Sequence, residues 1–186
     1  MHPLLDRLRG GDFRSIGRSG EVVRAVLSQP RLFPVLMSGL TAEEALVRMR
    51  AADAAEKVTA RHPEWLASHK RYLLNEVAKV DQQEVRWHAA VLFTRLKLTR
   101  NERARAASIL KHWLEDESRI VQTFSLQALA DLSKQDSRLR SEVKRLIEDR
   151  IECGPPSVPC RPTWQCAGKA VVTTSFSIAM RLSART

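Results

Sequence analysis

Three valines, Val47, Val85 and Val121, recur 38 and 36 residues apart, and one apolar pattern trails each of them. Four residues on stand Ala51, Ala89 and Ser125; eight on, Ala55, Phe93 and Leu129; eleven on, Val58, Leu96 and Leu132. These offsets trace one face of an α-helix, so the spacing predicts three equivalent amphipathic helices. Upstream, Leu36, Leu74 and Leu110 stand eleven residues before the valines, and Leu40, Ala78 and Leu114 seven before. Each predicted helix is therefore preceded by an antiparallel partner. A pair of this length cannot bury its own apolar face and must stack on a neighbour. The expected fold is all-α, an α-solenoid of stacked antiparallel helix pairs.

Local signals sharpen the reading. Helices are predicted over 2–9, 20–28, 31–40, 43–61, 64–80, 83–97, 100–115, 118–134 and 138–152. Thr41 with Glu44 and Thr99 with Glu102 have capping-box spacing, Pro63 with Glu64 suits a first turn, and Ser19 is placed to cap the second helix. Residues 1–30 read as an N-terminal helical cap and 31–152 as the repeat body.

The stretches ALVRMRAADAAEKV (45–58), QEVRWHAAVLFTRL (83–96) and RIVQTFSLQALADL (119–132), each after an acidic turn, resemble HEAT repeats. The resemblance covers roughly residues 30–152; the turn signatures of ankyrin and tetratricopeptide repeats are absent. In HEAT repeats a turn Asp and the Arg after the anchoring Val commonly form a ladder between adjacent pairs. The matching positions are Asp81 and Asp116, with Arg48 and Arg86; Gln122 departs from the pattern. Such stacks serve mainly as binding scaffolds, so the resemblance implies a non-enzymatic function.

The period reaches residue 158, where Val158 stands 37 residues after Val121, but Pro159 and Pro162 follow it. An interior proline costs a helix about 3 kcal/mol, so residues 153–186 are expected to be an irregular tail. Two readings of it stay open: a divergent natural extension, or a reading frame shifted near residue 155. Either leaves the stack poorly capped and predicts self-association through that end. Cys153, Cys160 and Cys166 lie here with no histidine nearby, so they read as free thiols, with neither a disulfide framework nor a metal site.

The net charge of +10 suggests a polyanion partner until it is apportioned. Residues 1–31 carry +3 (six Arg, three acids) and residues 153–186 carry +4, leaving +3 for residues 32–152. A nucleic-acid-binding domain would concentrate the excess in its folded part. No secretory signal or membrane span is recognisable, so a cytoplasmic protein with no membrane partner is expected.

In a solenoid the second helices line a concave surface at offsets 2, 6, 9 and 13 from the valine. Four of these positions are apolar and neighbouring: Met49, Trp87, Val91 and Leu98. They are either a groove for a partner's helix or peptide, with Trp87 as anchor, or a strip covered by the N-terminal helices or the tail. At offset three, Arg50, His88 and Phe124 point toward a neighbouring pair. His88 has no carboxylate placed beside it by local spacing, so no catalytic residue is assigned. His62 and His69 flank a turn without metal-ligand spacing, and His112 reads as surface or intersubunit packing. GGDFRSIGRSGEV (10–22) is a near miss for a phosphate loop, with Arg14 and Arg18 as candidate anion contacts. Basic stretches around Trp65, Tyr72 and Trp113 alternate with Glu64, Glu76, Glu102 and Glu115, a pattern typical of solvated helix faces. The expected function is a scaffold that binds another protein and needs no cofactor. Two alternatives remain: a nucleic-acid-binding protein resembling the HEAT-like DNA-alkylation-repair glycosylases, and a phycobilin-lyase-like repeat protein.

Overall fold

The computed structural model describes residues 2–134 and 136–152. The expectations for the tail and its cysteines lie outside the described residues. Within them, every regular element is helical: α1 (Pro3–Asp6), α2 (Ser19–Ser28), α3 (Phe33–Ser38), α4 (Ala45–Thr59), α5 (Lys70–Asn75), α6 (Gln83–Arg95), α7 (Arg100–Trp113), α8 (Arg119–Ser133) and α9 (Ser137–Glu152).

The three repeated helices appear as α4, α6 and α8, and the positions at offsets 0, 4, 8 and 11 are buried in all three. Their partners are less regular. The expected helix 31–40 is broken into a 3₁₀ turn (Pro30–Leu32), α3, and a second 3₁₀ turn (Gly39–Thr41). Pro34 lacks the N–H that would bond the carbonyl of Pro30, so the α-helix begins only at Phe33, with Pro34 in its first turn. The expected helix 64–80 is likewise a 3₁₀ turn (Pro63–His69), α5, and another 3₁₀ turn (Val77–Lys79). Tightening to three residues per turn shifts the register, so Val77 is buried where Ala78 was expected to be. Only α7, which contains no proline, runs through as one helix.

The Thr99 and Glu102 box that starts α7 is formed: Thr99 N donates to Glu102 Oε2 at 2.7 Å and Glu102 N to Thr99 Oγ1 at 3.3 Å. The expected Thr41 and Glu44 box is not, because both side chains have distant partners. Thr41 Oγ1 bonds the Tyr72 hydroxyl at 2.7 Å, and Glu44 accepts from Arg9 Nε at 2.8 Å. Ser19 does not cap α2 either; its buried hydroxyl donates to Asp53 Oδ2 on α4.

The chain divides into two compact units at Ala106, within α7. In the first, α4 is central, packed against α2, α3 and α6, and residues 1–30 belong to this unit. Buried Ala51, Ala52, Ala54 and Ala55 let its neighbours approach closely. At Gly39 the approach is tightest: a Cβ there would lie 2.8 Å from Ala51 Cβ and 2.9 Å from Leu5 Cδ2. In the second unit α8 packs on α9, with Leu110, Trp113, Leu129, Leu132 and Val143 among the buried residues.

One hydrogen bond recurs in all three pairs. The residue after each anchoring valine donates to the carbonyl six positions earlier: Arg48 Nη1 to Ala42 O at 2.8 Å, Arg86 Nε to Val80 O at 3.3 Å, and Gln122 Nε2 to Asp116 O at 2.6 Å. Gln122 thus fills the place of the two arginines. Arg86 also meets Asp81 of its own turn at 2.9 Å. Between the first two pairs the link runs through Gln82 instead of Asp81: Arg48 Nε donates to Gln82 Oε1 at 2.7 Å, and Gln82 Nε2 returns to Ala45 O at 3.0 Å. The Asp116 carboxylate accepts from Ser118 N at 2.8 Å, at the entry to α8.

Candidate functional site

Of the four apolar positions expected to line one surface, Met49 and Leu98 are buried, while Trp87 and Val91 on α6 are half-buried. The polar positions of the same strip are engaged. Asp53 accepts from Ser19 Oγ and, at 2.7 Å, from Lys57 Nζ. Thr94 Oγ1 donates to Val91 O at 2.8 Å within its own helix. On α6 the apolar positions that are not fully buried are thus Trp87 and, one turn on, Val91.

Beside Trp87 lies an ionisable cluster of buried His88 with half-buried Glu56 and Arg95. His88, 3% exposed, has its Nδ1 2.6 Å from Glu56 Oε2 on α4, and its ring stacks against the Trp87 indole with centroids 3.4 Å apart. Arg95 Nη2 lies 3.7 Å from Glu56 Oε1, and Arg95 Nη1 donates to Glu56 O at 2.6 Å and Thr59 Oγ1 at 2.8 Å. Burial pulls the Arg95 guanidinium below its ordinary pKa, with Glu56 opposing the shift. A carboxylate on Nδ1 orients an imidazole and leaves Nε2 as its other acid–base nitrogen, but no described hydroxyl or thiol is bonded to that nitrogen. The arrangement ties α6 to α4. Local spacing could not reveal it, because Glu56 is 32 residues from His88. The visible signal was the shared register of Arg50 and His88, which does point both side chains at neighbouring elements.

Arg50 is also buried, with no carboxylate against it. Its Nε donates to Ser15 O at 3.1 Å, Nη1 to Leu8 O at 2.8 Å and Gly10 O at 2.6 Å, and Nη2 to Asp12 O at 3.1 Å. Residues 8–15 thus wrap a guanidinium in their carbonyl oxygens. The glycines are required for this: Gly17 has φ +52°, and a Cβ there would lie 2.7 Å from Arg50 Cζ. A phosphate loop turns N–H groups inward to an anion, whereas this one turns carbonyls inward to a cation. Of the candidate anion contacts, Arg18 is paired with Glu21 at 2.7 Å, and Arg14 is exposed.

The aromatic residues of the basic stretches are engaged in packing. Trp65 stacks on His62 with centroids 4.4 Å apart and meets Phe33 edge-on at 5.5 Å; Phe33 also meets His69 at 5.3 Å. Burial lowers the pKa of His69. Trp113 is buried and His112 exposed. Among the described residues no group of His, Cys, Asp and Glu is arranged to hold a metal ion, and no helix is long and apolar enough to cross a membrane. No family model, curated protein or solved structure matches the chain.

Proposed function

We propose that this chain is a short HEAT-like α-solenoid that serves as a non-enzymatic scaffold, binding another protein on the α6 surface around Trp87 and Val91. The solenoid reading is supported by the bond that recurs after each anchoring valine, since equivalent side chains tie equivalent turns at one register. The observation that carries the binding reading is Trp87 itself. It is a large half-buried ring, one turn from half-buried Val91, on a helix whose remaining apolar positions are buried, and it stacks on buried His88, which Glu56 holds. Pre-ordered aromatic side chains of this kind are frequent anchors of protein interfaces. Of the aromatic rings in the basic stretches, Trp113 is buried and Trp65 already stacks on His62 and meets Phe33, which leaves less platform for stacking nucleic-acid bases.

The test is capture with the full chain as bait, wild type beside Trp87→Ala, followed by titration of the captured protein in purified form. The expected result is one protein retained by wild type and weakened at least about tenfold by the substitution, a loss typical of an interface anchor. Retention of nucleic acid alone, released by salt, would contradict the proposal.

A further inference from the structure

Among the described residues, three large apolar side chains are more than half exposed: Phe13 at 57%, Ile16 at 51% and Ile120 at 53%. Single exposed apolar residues are ordinary, but these three fall on two places of opposite charge. Phe13 and Ile16 flank Arg14, which is exposed and has no ion-pair partner among the described residues; the nearby Asp12 is turned back to accept from Arg14 N at 3.0 Å. Ile120 opens α8 after a turn that carries Glu115, Asp116 and Glu117 against a single Arg119. Glu115 and Glu117 are exposed, and neither has an ion-pair partner among the described residues. The first patch is also pre-ordered, because the Arg50 guanidinium holds residues 8–15 by their carbonyls. A loop already fixed loses little conformational freedom on binding.

We propose that the occupant of these patches is a second copy of the chain. The loop of residues 13–16 on one copy docks on the turn of residues 115–120 on another, with Phe13 and Ile16 against Ile120 and Arg14 against Glu115 and Glu117. This is a heterologous contact, in which each copy offers one loop and one turn. Its charged rim makes it sensitive to ionic strength. It does not depend on the scaffold reading, since it uses neither Trp87 nor Val91.

Sedimentation velocity on the full chain up to about 1 mM, a range that covers weak contacts, tests this with Phe13→Asp, Ile120→Asp and their equimolar mixture. Both positions are exposed, and circular dichroism checks that each variant folds. Wild type is expected to associate reversibly and to dissociate as salt rises from about 50 mM to about 500 mM. Each variant alone is expected to be monomeric. The mixture is expected to form dimers and nothing larger, because one intact loop and one intact turn remain to meet. A monomeric wild type, variants that associate like wild type, or a mixture that stays monomeric would each overturn the proposal.

Discussion

Ser125 stands where alanine stands in the other two repeated helices, and its hydroxyl is buried with no hydrogen-bond partner among the described residues. Burying an unsatisfied hydroxyl costs about 1–3 kcal/mol. Ser125→Ala is therefore expected to raise the unfolding free energy by about 1 kcal/mol in urea denaturation; a fall would show that the hydroxyl has a partner. Arg50 is the opposite case, a buried charge satisfied by backbone carbonyls alone. Arg50→Ala removes those bonds and leaves the carbonyls to find water, so residues 8–17 should open. Their amide hydrogens should exchange faster while those of α6 keep their protection, with a stability loss of about 2–4 kcal/mol. Neither residue's surroundings were legible in the sequence. Ser125 could be read only as a helix-face position, and the loop that wraps Arg50 looked like an anion site because glycine spacing does not say which way the peptide groups turn.

Among the elements, the repeated helices were legible because their signal is the apolar spacing itself, and α4, α6 and α8 fall within two residues of the expected bounds. Two of their three partners were not, because proline and 3₁₀ tightening act through the backbone and leave the apolar pattern intact; α7 runs as expected. Helix starts divide the same way. Thr99 and Glu102 are local partners and form their box, whereas Thr41 and Glu44 are taken by Tyr72 and Arg9 from elsewhere in the chain. The Thr99 backbone N–H, and then its side chain, hold the Glu102 carboxyl below the ordinary carboxylate range. Its folded pKa is depressed, so its contribution is full above the unfolded carboxylate's pKa and is lost as pH falls through the folded value. Stability measured from pH 7 down to about pH 3 should therefore fall more steeply for wild type than for Glu102→Gln, and the two should converge in acid. Inside the helices, Leu92 and Leu129 are fully buried. Replacing either with Asp puts a charge in the core, and loss of the cooperative melting transition is expected in calorimetry.

At the scale of the whole molecule, the all-helical class was legible from the valine period alone. The candidate surface was legible only in part: the same register that places Trp87 and Val91 also placed Met49 and Leu98, and those two are closed off by packing that no local pattern encodes. The cluster of Glu56, His88 and Arg95 was hidden by sequence distance, since it exists only once α6 lies on α4.

The unfolding free energy of Trp87→Ala decides whether Trp87 is a surface ring or a core ring. A surface anchor predicts a loss under about 1 kcal/mol, typical of substitutions away from the core. A loss of about 3–5 kcal/mol, the usual result of removing a core aromatic side chain, would place the ring in the fold's interior and remove the proposed binding surface.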